Sequence, residues 1–253
     1  MKSDLKVRFQ EFVRTLDGFE EIDCLLKDCN PYGKRRADYL FSKRSIIVEQ
    51  KILETDPSEK TQDYLDRLRG ENRIIGWGTF ALDKDDFYEL PDGEKLYRNL
   101  LHKMTSRIEE IASDADKQTR DTRDIFDISD AAGVLVILNE AAQMLIPELL
   151  EYRIQDLFKN DTLDGSVRYP HNDMIIVISE LHPVHVGLTR YLPIKRYINS
   201  TARQRDRAIA FSEKLQAGWA ALNRTPLIHL IDPGPIVKQA CPLPSWSTTR
   251  LLT

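Results

Sequence analysis

The sequence has little cysteine, no long apolar run and no surplus of positive charge, and each shortage removes a class of protein. Cys24, Cys29 and Cys241 are an odd set without CxxC spacing, which argues against a disulfide framework and against a zinc ribbon. No stretch approaches the roughly 18 uninterrupted apolar residues of a membrane span. The first sixteen residues alternate charged and apolar side chains, without the apolar centre of a signal peptide. The expectation is a cytoplasmic protein with no membrane partner. Lys and Arg number 36 against 40 Asp and Glu, a net charge of -4. That excludes a chain coated in positive charge, such as an architectural DNA binder, but leaves room for a local basic groove. The G-x-x-x-x-G-K-[ST], G-x-G-x-x-G and G-x-S-x-G patterns are also missing, which removes the P-loop motor and the simplest dinucleotide and α/β-hydrolase readings.

What is present is a chain of 253 residues, 42% hydrophobic, long enough to bury a sizeable core. Helical spacing over residues 4–16 puts Leu5, Phe9, Phe12, Val13 and Leu16 on one face, with Gly18 as a stop. Residues 22–26 read as a first strand and 30–33 as a turn. Residues 37–41 and 45–53, separated by Ser42-Lys43-Arg44, read as a β-hairpin. A short helix over 60–68 and a long one over 94–125 follow, the latter with Leu96, Leu100, Met104, Ile108 and Ile111 as its apolar stripe. Buried strands are expected at 134–138 and 174–179, helices at 145–158 and 200–222, and a last strand at 226–231. Prolines 233, 235, 242 and 244 predict an extended tail. Strands alternating with helices predict an α/β domain with a mixed sheet.

The chemistry concentrates in Arg36-Ala37-Asp38-Tyr39-Leu40-Phe41 and Glu49-Gln50-Lys51. Side chains alternate along a strand, so Glu49 and Lys51 share one face while Gln50 takes the other. The hairpin return brings Asp38 beside them, giving two carboxylates and an ammonium at the ends of apolar strands. Two carboxylates suit Mg²⁺, which prefers oxygen ligands and keeps several waters. Such a metal lowers the pKa of a bound water and neutralises charge on a phosphate. Lys51 is placed to orient the water or to stabilise the developing oxyanion.

An Asp at the start of one strand and Glu-x-Lys late in the next resembles the PD-(D/E)XK nuclease superfamily. The expected order of helix, three strands, helix and strand is similar to that of the family over about the first 140 residues. An insertion at about 54–93 interrupts it, and position 37 is Ala where the family's name has Pro. The resemblance implies a restriction-endonuclease-like mixed sheet flanked by helices. Residues 141–253 would be a C-terminal α/β extension of the same domain, carrying substrate contacts or a homodimer interface. It implies a nuclease in which Asp38 and Glu49 bind Mg²⁺ or Mn²⁺ and Lys51 is the catalytic lysine. It also implies a metal-assisting Glu on the first helix, for which Glu11 is the candidate and Glu20 or Glu21 the substitutes. A supporting Gln on the long helix corresponds to Gln118. The expected partner is nucleic acid, DNA in preference to RNA. The alternative is a non-catalytic nucleic-acid-binding or protein-interaction module that retains the fold. A purely structural reading makes Asp38, Glu49 and Lys51 a solvent-facing cluster contributing about 0–1 kcal/mol per pair. The apolar flanks Ile46-Ile47-Val48 and Ile52-Leu53 weigh against it, because buried charge is costly without a role.

Two basic clusters are candidate phosphate contacts. Residues 27–51 hold seven basic side chains against three acidic ones, and Lys34, Arg35 and Arg36 directly precede Asp38. Residues 190–224 hold eight against two, with Arg203 and Arg207 expected one helical turn apart. A solvated helix face explains the second cluster equally well. The His182-x-x-His185 pair lacks a nearby third ligand and reads as loop. His171 reads as exposed and His229 as a core residue. Trp77, Trp219 and Trp246 read as packing residues.

Overall fold

The computed structural model describes residues 4–26, 33–71, 73, 87, 89–159, 167–186 and 189–227. The turn at 30–33 falls outside them except for Gly33. Also outside are Cys29, Cys241, Trp77, Trp246, His229, the four tail prolines and all but the first two residues of the expected last strand, residues 226 and 227, which are coil.

Helix α1 (Leu5–Val13) starts where the Asp4 carboxylate accepts the Lys6 N–H at 2.7 Å, an N-cap. It buries Leu5, Phe9, Phe12 and Val13, the face its spacing predicts. Gly18 lies well past its end, so it does not cap the helix. It sits at φ +71°, and a Cβ there would meet Ser42 N at 2.8 Å, so glycine lets the chain pass close against the hairpin turn. The first strand, β1 (Glu20–Glu21), precedes the predicted one. Residues expected to extend form α2 (Ile22–Leu25) instead, because the Ile22 N–H bonds the Asp38 carbonyl at 3.0 Å while its side chain is buried.

Strands β2 (Tyr39–Phe41) and β3 (Ile46–Leu53) form the predicted hairpin, with Tyr39 opposite Val48 and Phe41 opposite Ile46. Ser42, Lys43 and Arg44 all have positive φ, 53°, 57° and 65°, at a cost of roughly 1 kcal/mol each. Arg44 holds the turn: it forks onto the Glu20 carboxylate at 3.1 and 2.9 Å and lies over the Phe126 ring at 5.1 Å.

From β3 the chain crosses through α3 (Ser58–Gly70) and α4 (Gly93–Phe126) to β4 (Ala132–Asn139), parallel to β3. Helix α5 (Pro147–Lys159) leads to β5 (Met174–Ser179), parallel to β4. A two-stranded ribbon, β6 (Val184–Val186) and β7 (Thr189–Tyr191), precedes β8 (Ile194–Ile198), antiparallel to β5, and α6 (Arg205–Leu222) follows. The fold is α/β, with a six-stranded mixed open sheet in the order β1-β2-β3-β4-β5-β8. Residues after 140 therefore belong to the same sheet as the hairpin. Leu135, Ile137, Ile175 and Val177 pack under α3, α4 and α5, while Val134, Val136, Met174 and Ile176 pack under α1 and α6. This period-two alternation makes three layers. Trp219 packs edge-on to Phe12 at 5.3 Å. Among the described residues, no helix is long and apolar enough to cross a membrane.

Helix α6 begins five residues later than its pattern predicts. The Asn199 side chain accepts from Thr201 N at 3.1 Å and Asp173 from Gln204 N at 3.2 Å, holding 199–204 as a turn. Arg203 thus precedes the helix and is not stacked one turn from Arg207.

At Gly133 on β4 the backbone is closely covered: a Cβ would lie 2.0 Å from the His171 carbonyl oxygen and 2.7 Å from Thr119 Cγ2 on α4. Gly133→Ala should cost about 3 kcal/mol, lowering Tm by roughly 6–12 °C. Gly70→Ala, with nothing within 4 Å of the new methyl, should leave Tm unchanged or higher. Thermal denaturation of the two variants checks the packing, and an unaltered Tm for Gly133→Ala would refute it.

Candidate functional site

Strand β2 is three residues long and β3 eight, so β2 pairs with only the first part of β3. Asp38 takes over where β2 stops. Its N–H donates to the Val48 carbonyl at 3.2 Å, and its carboxylate accepts the Gln50 N–H at 2.7 Å. A side chain thus continues the ladder in place of backbone and is fixed in the process. Beyond it, among the described residues, no strand pairs with that edge of β3.

Along β3, Ile46 and Val48 face α1 and α6, which turns Glu49 and Lys51 towards α4. Glu49 is 1% exposed. Lys51 Nζ lies 2.5 Å from Glu49 Oε1, whereas Glu49 Oε2 is buried with no hydrogen-bond partner. Gln118 on α4 donates through Nε2 to the Arg36 carbonyl at 2.9 Å. Its amide lies close enough to favour the ionised form of Glu49 without completing a hydrogen bond to Oε2. Burial first, and the Asp38 charge second, push the Glu49 carboxyl up to about 8 against the pull of Lys51. Burial also raises the Asp38 carboxyl, while the Gln50 N–H and Lys51 hold it down. Burial and the nearness of the two carboxyls both favour the protonated form of Glu49.

A cleft of about 320 Å³ opens on the free edge of β3. Asp38, Lys51 and Glu54 line it from the sheet, Lys6 and Gln10 from α1, and Arg107 from α4. On its α1 side the Tyr39 hydroxyl donates to Gln50 Oε1 at 3.2 Å. Burial and the Asp38 charge push that phenol up to about 12.

The structure brings together Asp38, Glu49, Lys51 and Gln118. It does not bring Glu11, which is exposed on α1 and does not line the cleft. The face of α1 turned to the site is that of Lys6 and Gln10, one residue off. Glu20 and Glu21 lie on β1 and pair with Arg44 and Arg14, so neither replaces it. The basic triplet is engaged within the protein: Lys34 with Asp124 at 3.0 Å, Arg35 with Asp114 at 2.8 Å, Arg36 with Asp23 at 2.5 Å. Arg207 donates to the Asp130 carbonyl at 2.7 Å. Exposed Arg203 lies near Arg123 and His171, where β4 and β5 begin. Contrary to its sequence reading, His171 is half-buried, bonded through Nδ1 to Arg123 at 2.9 Å. His182 bonds the Gln143 carbonyl at 2.8 Å. Sequence reasoning missed Lys6, Gln10, Glu54 and Arg107; the one signal was the single-turn spacing of Lys6 and Gln10.

Among the described residues, no three His, Cys, Asp or Glu side chains gather as a metal cage. Asp38 and Glu49 nonetheless fit Mg²⁺ or Mn²⁺. Magnesium is commonly held by one or two carboxylates with water completing its shell, and Glu49 Oε2 is a buried carboxyl oxygen without a hydrogen-bond partner.

The raised Glu49 carboxyl sets a pH dependence. Its pKa is higher folded than unfolded, so its contribution to stability is fully present below about 4.5 and lost as pH rises through about 8. Glu49→Gln removes that loss. The variant's Tm minus that of wild type, both in EDTA, should grow from pH 5 to pH 9 by about 5 °C or more. A difference that stays flat across this range would show that no charge is being buried. No family model, curated protein or solved structure matches this chain, so the reading of the site rests on its own geometry.

Proposed function

We propose that this protein is a metal-dependent nuclease that hydrolyses phosphodiester bonds in nucleic acid, DNA in preference to RNA. The observation that carries the reading is Glu49: a carboxylate 1% exposed, with one oxygen on Lys51 and the other unpartnered, next to Asp38 at an open strand edge. The arrangement around it adds support. From α1 to β4 the chain runs helix, β1, the short α2, the antiparallel β2 and β3, then α3, α4 and the parallel β4; apart from α2 and α3 this order is similar to that of the PD-(D/E)XK core.

Asp38 and Glu49 would hold Mg²⁺ or Mn²⁺, which when bound supplies an acidified water and offsets charge on the phosphate. Each residue of the chain has a definable part. The Gln50 N–H fixes Asp38 so that its carboxylate faces the cleft with little freedom to lose on binding. Lys51 sits on Glu49 and lines the cleft, where its ammonium can orient a water or donate to a phosphate oxygen. Gln118 clamps the Arg36 carbonyl and thereby the approach to Asp38. Its role is positioning.

The second reading, a binding module without turnover, has one observation in its favour: no third acidic side chain joins the pair among the described residues. Cleavage assays separate the two. Wild type should cut end-labelled single- or double-stranded DNA or RNA in Mg²⁺ or Mn²⁺ but not in EDTA. Lys51→Ala and Asp38→Asn should each lose about a hundredfold or more. Cleavage that survives Asp38→Asn removes that residue from the mechanism. Binding without cleavage in any metal favours the module.

A further inference from the structure

The cations in excess are not those closest to Asp38 in sequence. Lys34, Arg35 and Arg36 face four carboxylates, Asp23, Asp114, Asp121 and Asp124, so that surface is close to neutral. The balance is different between α3 and α4. There, a hollow of about 500 Å³ is lined by Lys60, Arg67, His102 and Lys103 with a single acid, Asp63. Its floor includes Tyr64, buried and fixed by its hydroxyl donating to the Leu96 carbonyl at 3.2 Å. Arg67 lies over that ring at 5.1 Å and Lys103 at 5.5 Å. These cation–π contacts hold two of the positive groups in place.

The hollow adjoins the candidate site. Lys103 and Arg107 are four residues apart on α4, so they share one face about 6 Å apart along the axis. Arg107 lines the cleft of Asp38 and Lys51. One series of cations thus runs from Lys60 and Arg67, through Lys103 and Arg107, to Lys51 and Lys6. Lys51 pairs with the buried Glu49 at 2.5 Å, and two others carry acidic neighbours at the surface, Arg67 with Glu71 at 3.8 Å and Arg107 with Glu110 at 3.0 Å. Both pairs are exposed and weak, and a phosphate can replace the carboxylate in either.

We propose that this series is the track along which a nucleic-acid backbone lies as it enters the cleft, an inference that rests on the nuclease reading. Its chemistry is that of a polyanion site. Four of the cations stand on α3 and α4, with Lys51 on β3 and Lys6 on α1, and the Tyr64 ring beside Arg67 and Lys103 is buried, so it is not free to stack on a base. Phosphate is read and sequence is not. The track also gives a role to α3, which lies in the segment inserted between β3 and α4.

The test is fluorescence anisotropy with an end-labelled DNA duplex and single strand in EDTA over a range of NaCl, paired with cleavage in Mn²⁺. Lys60→Ala/Lys103→Ala should bind about tenfold more weakly than wild type and reduce the slope of log K against log salt by about two. Arg35→Ala should change neither. A double variant that binds with wild-type affinity and slope overturns the track, as does a wild-type protein that binds neither DNA. The nuclease reading fails separately. If wild type binds, the double variant binds weakly and nothing is cut in any metal, the track stands and the catalytic assignment falls. If wild type cuts and the double variant binds and cuts equally well, the reverse holds.

Discussion

Glu49 places a carboxylate in the middle of a largely buried strand, opposite Leu135, next to Val48 and two residues from Ile47 along the chain. A charge there is tolerable only with a positive partner and few free lone pairs. Lys51 supplies the partner, but Asp38 adds a second negative group, and burial wins over the ammonium, so the carboxyl rises to about 8. Two carboxyls thus share one ammonium in a buried setting. On the proposed reading a divalent cation would relieve this arrangement, since it would reverse the sign of the local field on both carboxylates. Stability and function draw on one interaction with opposite preferences about the proton.

Most of what surrounds Glu49 holds Asp38 at the right place. Asp38 lies at the end of a stretch without regular structure, yet that stretch is sewn to α4. Ala37 N–H donates to Thr122 Oγ1 at 2.9 Å, the Arg36 carbonyl accepts Gln118, and Lys34 and Arg35 reach acids on the same helix. Helix α4 is also the crossover between β3 and β4, so the element that makes the parallel pairing covers Glu49 and anchors Asp38. This explains why a run of basic residues stands just before Asp38 without lining the cleft. Its job is attachment.

What the sequence disclosed follows from the range of the interactions involved. Strand periodicity put Glu49 and Lys51 on one face, and hairpin return put Asp38 beside them, because both are local properties of the chain. Helix α4 and strand β4 were equally legible: a long apolar stripe and an unbroken apolar run each admit one structure. Glu11 was misplaced by one position because the rotation of α1 over the sheet is set by Phe9, Phe12 and Trp219 packing against each other, a contact spanning most of the chain. The early end of β2, which opens the cleft, depends on Asp38 substituting for backbone, and no propensity reports that. Which cations are free was also hidden, since Lys34, Arg35 and Arg36 find acids 13 to 90 residues away.

The open edge of β3 raises a question that stability alone would answer differently. An uncovered strand edge is a template for pairing with another chain, and proteins usually shorten it, cover it or charge it. Extending β2 by a few residues would close this one, yet it stays open for the half of β3 that carries the site. The exposed part is protected by charge: Asp38 occupies the Gln50 N–H, Lys51 lines the opening and Glu54 stands at its end. Two of them, Asp38 and Lys51, are also groups the proposed chemistry needs. The residues that keep a second strand away are those that would admit a phosphodiester backbone, whose charge complements the lysines and whose shape needs no ladder of hydrogen bonds.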